Sequence, residues 1–157
     1  MKSFLVVLSF LSLSLLACNN ANQHEEHEHH GANEKPLTLA DSLYNDVMAA
    51  HDEVMPKMGK VRGAQKRAQE LVDSISKLKG EALKANLPLK KELEQLVSDL
   101  NYADYAMDQW MTDFNLDSGS NNQDIRVKYL ADEKVRVTKV KQAILSSLAK
   151  ADTLLKK

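Results

Sequence analysis

Seven residues have the types and spacing of a soft metal site. Met48, His51, Met55 and Met58 follow one another at steps of three, four and three, and Met107, Trp110 and Met111 repeat the step of three and close with one of one. Steps of three and four place side chains on one face of a helix. Thioethers are soft ligands suited to Cu(I), with imidazole a common companion. An indole ring over a cation adds attraction and screens it from water. The same residues have a second chemistry, because methionine fills irregular core space and packs well on aromatic rings. Whether copper or packing is the better reading depends on which elements bring the two groups together.

A second candidate lies earlier in the chain. His24, His27, His29 and His30 are interleaved with Glu25, Glu26 and Glu28. Imidazoles beside carboxylates bind borderline ions such as zinc, nickel or Cu(II). The alternative is a solvated polar spacer. From Cys18 to about Lys35 there is no apolar periodicity, so residues 18–36 read as a disordered, flexible tether. Ordering such a segment around an ion costs entropy, which limits it to a weak, exchangeable site.

Cys18 is the only cysteine, and its setting is specific. Met1-Lys2 opens the chain, an apolar run follows to Ala17, and Leu15-Leu16-Ala17 directly precedes Cys18. The run is shorter than the ~20 residues that a membrane-spanning helix needs. Residues 1–17 resemble a bacterial lipoprotein signal peptide, cut before Cys18. Leu15 and Ala17 fit the pattern, while Leu16 is larger than the usual residue at its position. The resemblance implies acyl chains on Cys18, enough for stable anchoring. It also implies a place in the cell envelope, at the outer membrane, with the membrane as a partner through the lipid. Acidic residues beyond the cysteine are loosely similar to surface-export signals of Bacteroidota lipoproteins, although the spacing from Cys18 is longer than usual.

The charge balance excludes one class of partner. Lys and Arg number 21 against 22 Asp and Glu, a formal net charge of −1. Nucleic acid calls for a basic face to neutralise phosphates, so it is not expected. No disulfide is available to the mature chain, and stability must come from packing.

Residues 37–157 carry the periodicity of long helices, and the expected fold is all-α: an up-down-up antiparallel helical bundle. The first helix should start at Thr38, where Thr38 and Asp41 resemble a capping box. Its seam runs Leu43, Val47, Ala50, Val54, Val61, Ala64, Ala68, Leu71, Ile75 and Leu78. The one gap falls at Pro56, with Met58 supplying the apolar group, so the helix should be kinked or broken there. It should end between Gly80 and Asn86. The second helix is expected from Pro88, along Leu89, Leu93, Leu96, Leu100, Ala103, Met107, Trp110 and Phe114. The third, capped within Ser120 to Gln123, carries Val127, Leu130, Val137, Val140, Ile144, Leu148 and Ala151 on one face. Glu133 and Arg136 fall mostly on the other.

This topology predicts which residues meet. A hairpin turning near residue 84 sets 110 beside 58, 107 beside 61 and 114 beside 54. A second turn near 118 sets Tyr129 beside Met107. Met55 and Met58 should therefore approach Met107, Trp110 and Met111, with His51 about one turn beyond.

The lipoprotein signal, the His51–Met58 and Met107–Met111 blocks and the Lys-rich third helix together resemble small helical lipoproteins of Bacteroidota, often labelled "viral A-type inclusion protein". That group has no established activity to carry over. The expected function is a non-enzymatic structural or interaction module, since the domain offers one histidine, no thiol and no nucleophile–base arrangement. Its protein partner, or a second copy, would bind through a helical face. One alternative is an envelope copper- or zinc-binding protein that needs no resident cofactor to fold. Another is a helical stress chaperone, whose usual Leu-Thr repeats are not present.

Overall fold

The computed structural model describes residues 37–156. These form a three-helix bundle with no strand among them. The first arm is broken into α1 (Leu39–Val54), a 3-10 turn (Met55–Lys57) and α2 (Met58–Ser76); α3 (Gly80–Asp113) and α4 (Gln123–Leu154) complete it. The signal segment 1–17 and the tether 18–36 lie outside the described residues.

The caps are local in origin. Thr38 Oγ1 accepts the Asp41 N–H at 3.1 Å, and Asp41 accepts the Thr38 N–H at 2.9 Å, the reciprocal pair of a capping box. Asn122 caps α4 by accepting from the Asp124 and Ile125 N–H groups.

One register runs through the bundle. Lys134 pairs with Asp46 at 2.8 Å, Lys141 with Glu53, and Arg67 donates to the Leu155 carbonyl at 3.2 Å, each 88 residues apart. The first two pairs join α1 to α4 and the third joins α2 to the end of α4. Their seven- and fourteen-residue steps mean that the first arm runs parallel to α4, and that the break at Pro56 does not slip the register. The 3-10 turn absorbs the donor that proline lacks, with the Met58 N–H bonded to Met55 instead of Val54. Pro56 and Met55 face solvent, while Val54, Met58 and Val61 on either side are buried. Between α2 and α3, Arg62 meets Asp104 and Gln65 meets Asn101, within two residues of the expected antiparallel register.

Three expectations are corrected. The second helix starts at Gly80, not Pro88, and the first arm stops at Ser76. Gly80 turns the chain with φ +59°, a left-handed conformation that favours glycine. Glu81-Ala82-Leu83-Lys84-Ala85 are strong helix formers, and the exposed Pro88 forfeits one hydrogen bond on the solvent side. Leu71, Leu78 and Leu89 are exposed and Val72 is buried instead. An α-helix drifts about 20° per heptad against a strict seven-residue seam, which moves the buried stripe of α2 from Leu71 to Val72, while Leu78 lies past the helix end at Ser76. Finally, Tyr129 lies beside Phe114, not Met107, at 6.1 Å between rings. The link 114–122 folds back along the first turns of α4: Arg126 donates to the carbonyls of Leu116 at 2.7 Å and Ser118 at 3.1 Å. Gly119, at φ +70°, fits there because a Cβ would stand 2.5 Å from the Arg126 nitrogen.

Leu100 is fully buried at mid-core. Leu100→Ala should cost about 2–5 kcal/mol through lost burial and the cavity left behind, read from denaturant melts. Pro56→Ala should stay within about 1 kcal/mol of the parent, because the turn is exposed and the arm keeps its register across it. A larger loss in the same melts would mean that the bundle requires the break.

Candidate functional site

The seven candidate residues do not converge on one point. Met58 and Met107 are buried in the core between the helices. Met55 is exposed on the 3-10 turn. Met48, His51, Trp110 and Met111 do come together, with Tyr44, Phe114 and Leu116, around an open groove of about 270 Å³ at the end where α3 stops. On the first arm the groove takes Met48 and His51, in place of the expected Met55 and Met58.

The groove is built on an aromatic stack. The Trp110 ring lies 5.6 Å from His51, tilted by 37°, and 5.0 Å from Phe114, stacked within 23°. Phe114 continues the stack to Tyr129. Tyr129 in turn accepts the Asn115 N–H at 2.7 Å, which fixes the chain leaving α3. Burial, aided by the charge on Glu133, raises the Tyr129 pKa above the ordinary phenol value. His51 Nδ1 lies 2.8 Å from the Asp52 carboxylate, so one ring nitrogen is already occupied.

The residue that sequence reading missed is Glu133. Assigned to the polar face, it is only 3% exposed. Its Oε2 accepts the Trp110 indole N–H at 2.9 Å, and its Oε1 accepts from Arg136 at 2.8 Å. Arg136 also donates to Asp113 at 2.8 Å. The hydrogen bond to Asp113, then that to Glu133, raises the Arg136 pKa above its usual value despite burial. A buried indole N–H requires an acceptor, and a buried carboxylate requires a counter-charge. Trp110, Glu133, Arg136 and Asp113 satisfy one another and clamp the end of α3 to α4. The available signal was helical spacing: Glu133 follows Leu130 by three and precedes Val137 by four, within the apolar stripe.

This geometry overturns the expectation of copper or zinc in the domain. Among the described residues, no group of three or more His, Cys, Asp or Glu is placed to hold a metal ion. The thioethers are divided between core and surface, and Trp110 packs against Phe114 and His51 and gives its N–H to Glu133. The tether histidines His24, His27, His29 and His30, like Cys18, lie outside the described residues. Among the described residues no buried side-chain nitrogen or oxygen lacks a partner.

Comparison of the chain with protein-family models, with curated proteins and with solved structures finds no match.

Removing the acceptor should expose the role of the clamp. Glu133→Leu leaves the Trp110 N–H and Arg136 without their buried partner and should cost about 1–3 kcal/mol. Glu133→Gln keeps an acceptor for the indole and should cost less. Equal melts for the two variants would show that the Trp110 bond contributes nothing.

Proposed function

We propose that the chain is a lipid-anchored protein of the cell envelope, held at the outer membrane, whose helical bundle acts as a non-enzymatic structural or interaction module. The observation that carries the anchor is Leu15-Leu16-Ala17-Cys18 at the end of the apolar run. Likeness to the small helical lipoproteins of Bacteroidota belongs to the same reading.

The arrangement of polar groups in the domain supports a binding role over a catalytic one. Charged side chains are spent on pairs between helices: Lys134 with Asp46, Arg62 with Asp104, Lys150 with Asp99 and Arg136 with Asp113. Such pairs orient one helix against another. The surface offers faces suited to a protein partner. Tyr102 and Tyr105 are exposed beside Arg136 and Lys139 along a groove of about 230 Å³ between α3 and α4. Exposed tyrosines flanked by arginine match the composition of protein interfaces.

The anchor is tested by intact mass and fractionation. The mature chain should begin at Cys18 and carry acyl chains, and Cys18→Ala should leave the membrane fraction. Cleavage elsewhere with no acyl mass would overturn the anchored reading.

A further inference from the structure

We propose that the end of the bundle where the chain enters the domain rests in the interfacial layer of the bilayer, through an apolar collar of Leu37, Leu39, Leu116 and Ile125. The inference rests on the lipid anchor proposed at Cys18. Each of these side chains is large, aliphatic and mostly uncovered: Leu37 is 68% exposed, Leu39 63%, Leu116 56% and Ile125 56%. Isolated exposed leucines are ordinary on a protein surface, but a group of them is not.

The register groups them. The 88-residue offset between α1 and α4, seen in the Asp46–Lys134 and Glu53–Lys141 pairs, brings Leu37 level with Ile125. Leu39 follows at the first position of α1. Leu116 joins them because Arg126, next to Ile125, donates to the Leu116 carbonyl at 2.7 Å. The collar is thus made from the start of α1, the start of α4 and the link before α4, all at one end.

Chain length says what covers it. Residues 19–36 separate Cys18 from this end and reach at most about 60 Å when fully extended. The arm from Leu39 to Ser76 is itself about 55 Å long at 1.5 Å per residue. Placing the opposite end, at the α2–α3 turn, on the same membrane would use almost the whole reach. Placing the collar there uses none of it. An anchor that holds the domain close raises the effective concentration of bilayer at the collar, so a surface too small to bind membrane alone suffices.

The charge around the collar specifies the lipid chemistry. Asp41, Asp117 and Asp124 stand among Arg126 and Lys128, and Arg126 is engaged with loop carbonyls. Among the described residues no basic cluster is present there to seek anionic headgroups. The contact is therefore apolar insertion into a zwitterionic surface, insensitive to salt.

The test uses the full acylated chain in phosphatidylcholine vesicles containing doxyl-labelled lipid. Lipidation consumes the Cys18 thiol, so single cysteines at Leu39→Cys, Leu116→Cys, Ile125→Cys and, at the far end, Leu78→Cys can each carry an environment-sensitive dye. All four positions are exposed, and circular dichroism checks the fold. The expected result is a blue shift and loss of emission at 39, 116 and 125, with neither at 78, unchanged by salt. Adding Leu39→Ser and Ile125→Ser should abolish the signal at 116. Equal quenching at 39 and 78, no quenching at 39, or quenching that appears only with anionic lipid would overturn the collar. If intact mass shows no acyl chain, the anchor reading has failed. The same chains with Cys18→Ser, held by an N-terminal hexahistidine on nickel-chelating lipid, then read the collar by itself: quenching at 39 and not at 78 upholds it, and the reverse or no difference overturns it.

Discussion

The upper half of this bundle depends on one requirement: the buried Trp110 indole N–H must have an acceptor. Trp110 sits at a seam position, where its ring fills the space between α1, α3 and α4. Its polar hydrogen goes in with the ring. Glu133 accepts it, and a carboxylate brought inside for that purpose calls for Arg136, which is held by Asp113. Four residues from two helices are thereby tied into one arrangement. The consequences spread outward: Phe114 stacks on the fixed indole, Tyr129 continues the stack, and the Tyr129 hydroxyl accepts from Asn115 to turn the chain out of α3. A slip of one residue between α3 and α4 would break the hydrogen bond, the ion pair and the stack together.

The alignment of the first arm with α4 is governed by simpler means. Pairs at a common 88-residue offset align the first arm with α4, and the arm keeps that alignment although proline interrupts its hydrogen bonds. A tighter 3-10 turn accommodates the missing donor locally and leaves the register alone. Surface pairs of this kind contribute little stability individually. Their value lies in orientation, and the buried Val47, Val54, Val61 and Ala68 beneath them supply the burial.

The methionine cluster shows where periodicity reaches its limit. Steps of three and four place Met48, His51, Met55 and Met58 on one side of a helix, but that side is wide. Core and groove divide it, with Met58 inside, Met48 half-buried at the rim and Met55 outside. A coordination site requires lone pairs aimed at one point, which residue spacing does not specify. Glu133 is the converse case. Its charge argued for the surface, yet the partner that makes its burial favourable lies 23 residues away on another helix.

By itself the sequence determined the fold class, the break at Pro56 and the Thr38 capping box. All of these follow from local rules: apolar period, cap chemistry and the missing proline donor act within a turn or two of the chain. Tertiary structure alone decided that Tyr129 stacks on Phe114, and that Leu71 and Leu78 leave the core while Val72 enters it. It also decided that the soft ligands are parted by packing. Those outcomes depend on where a second helix stands, through helix drift, loop folding and the pairing of buried polar groups, and no local pattern carries that information.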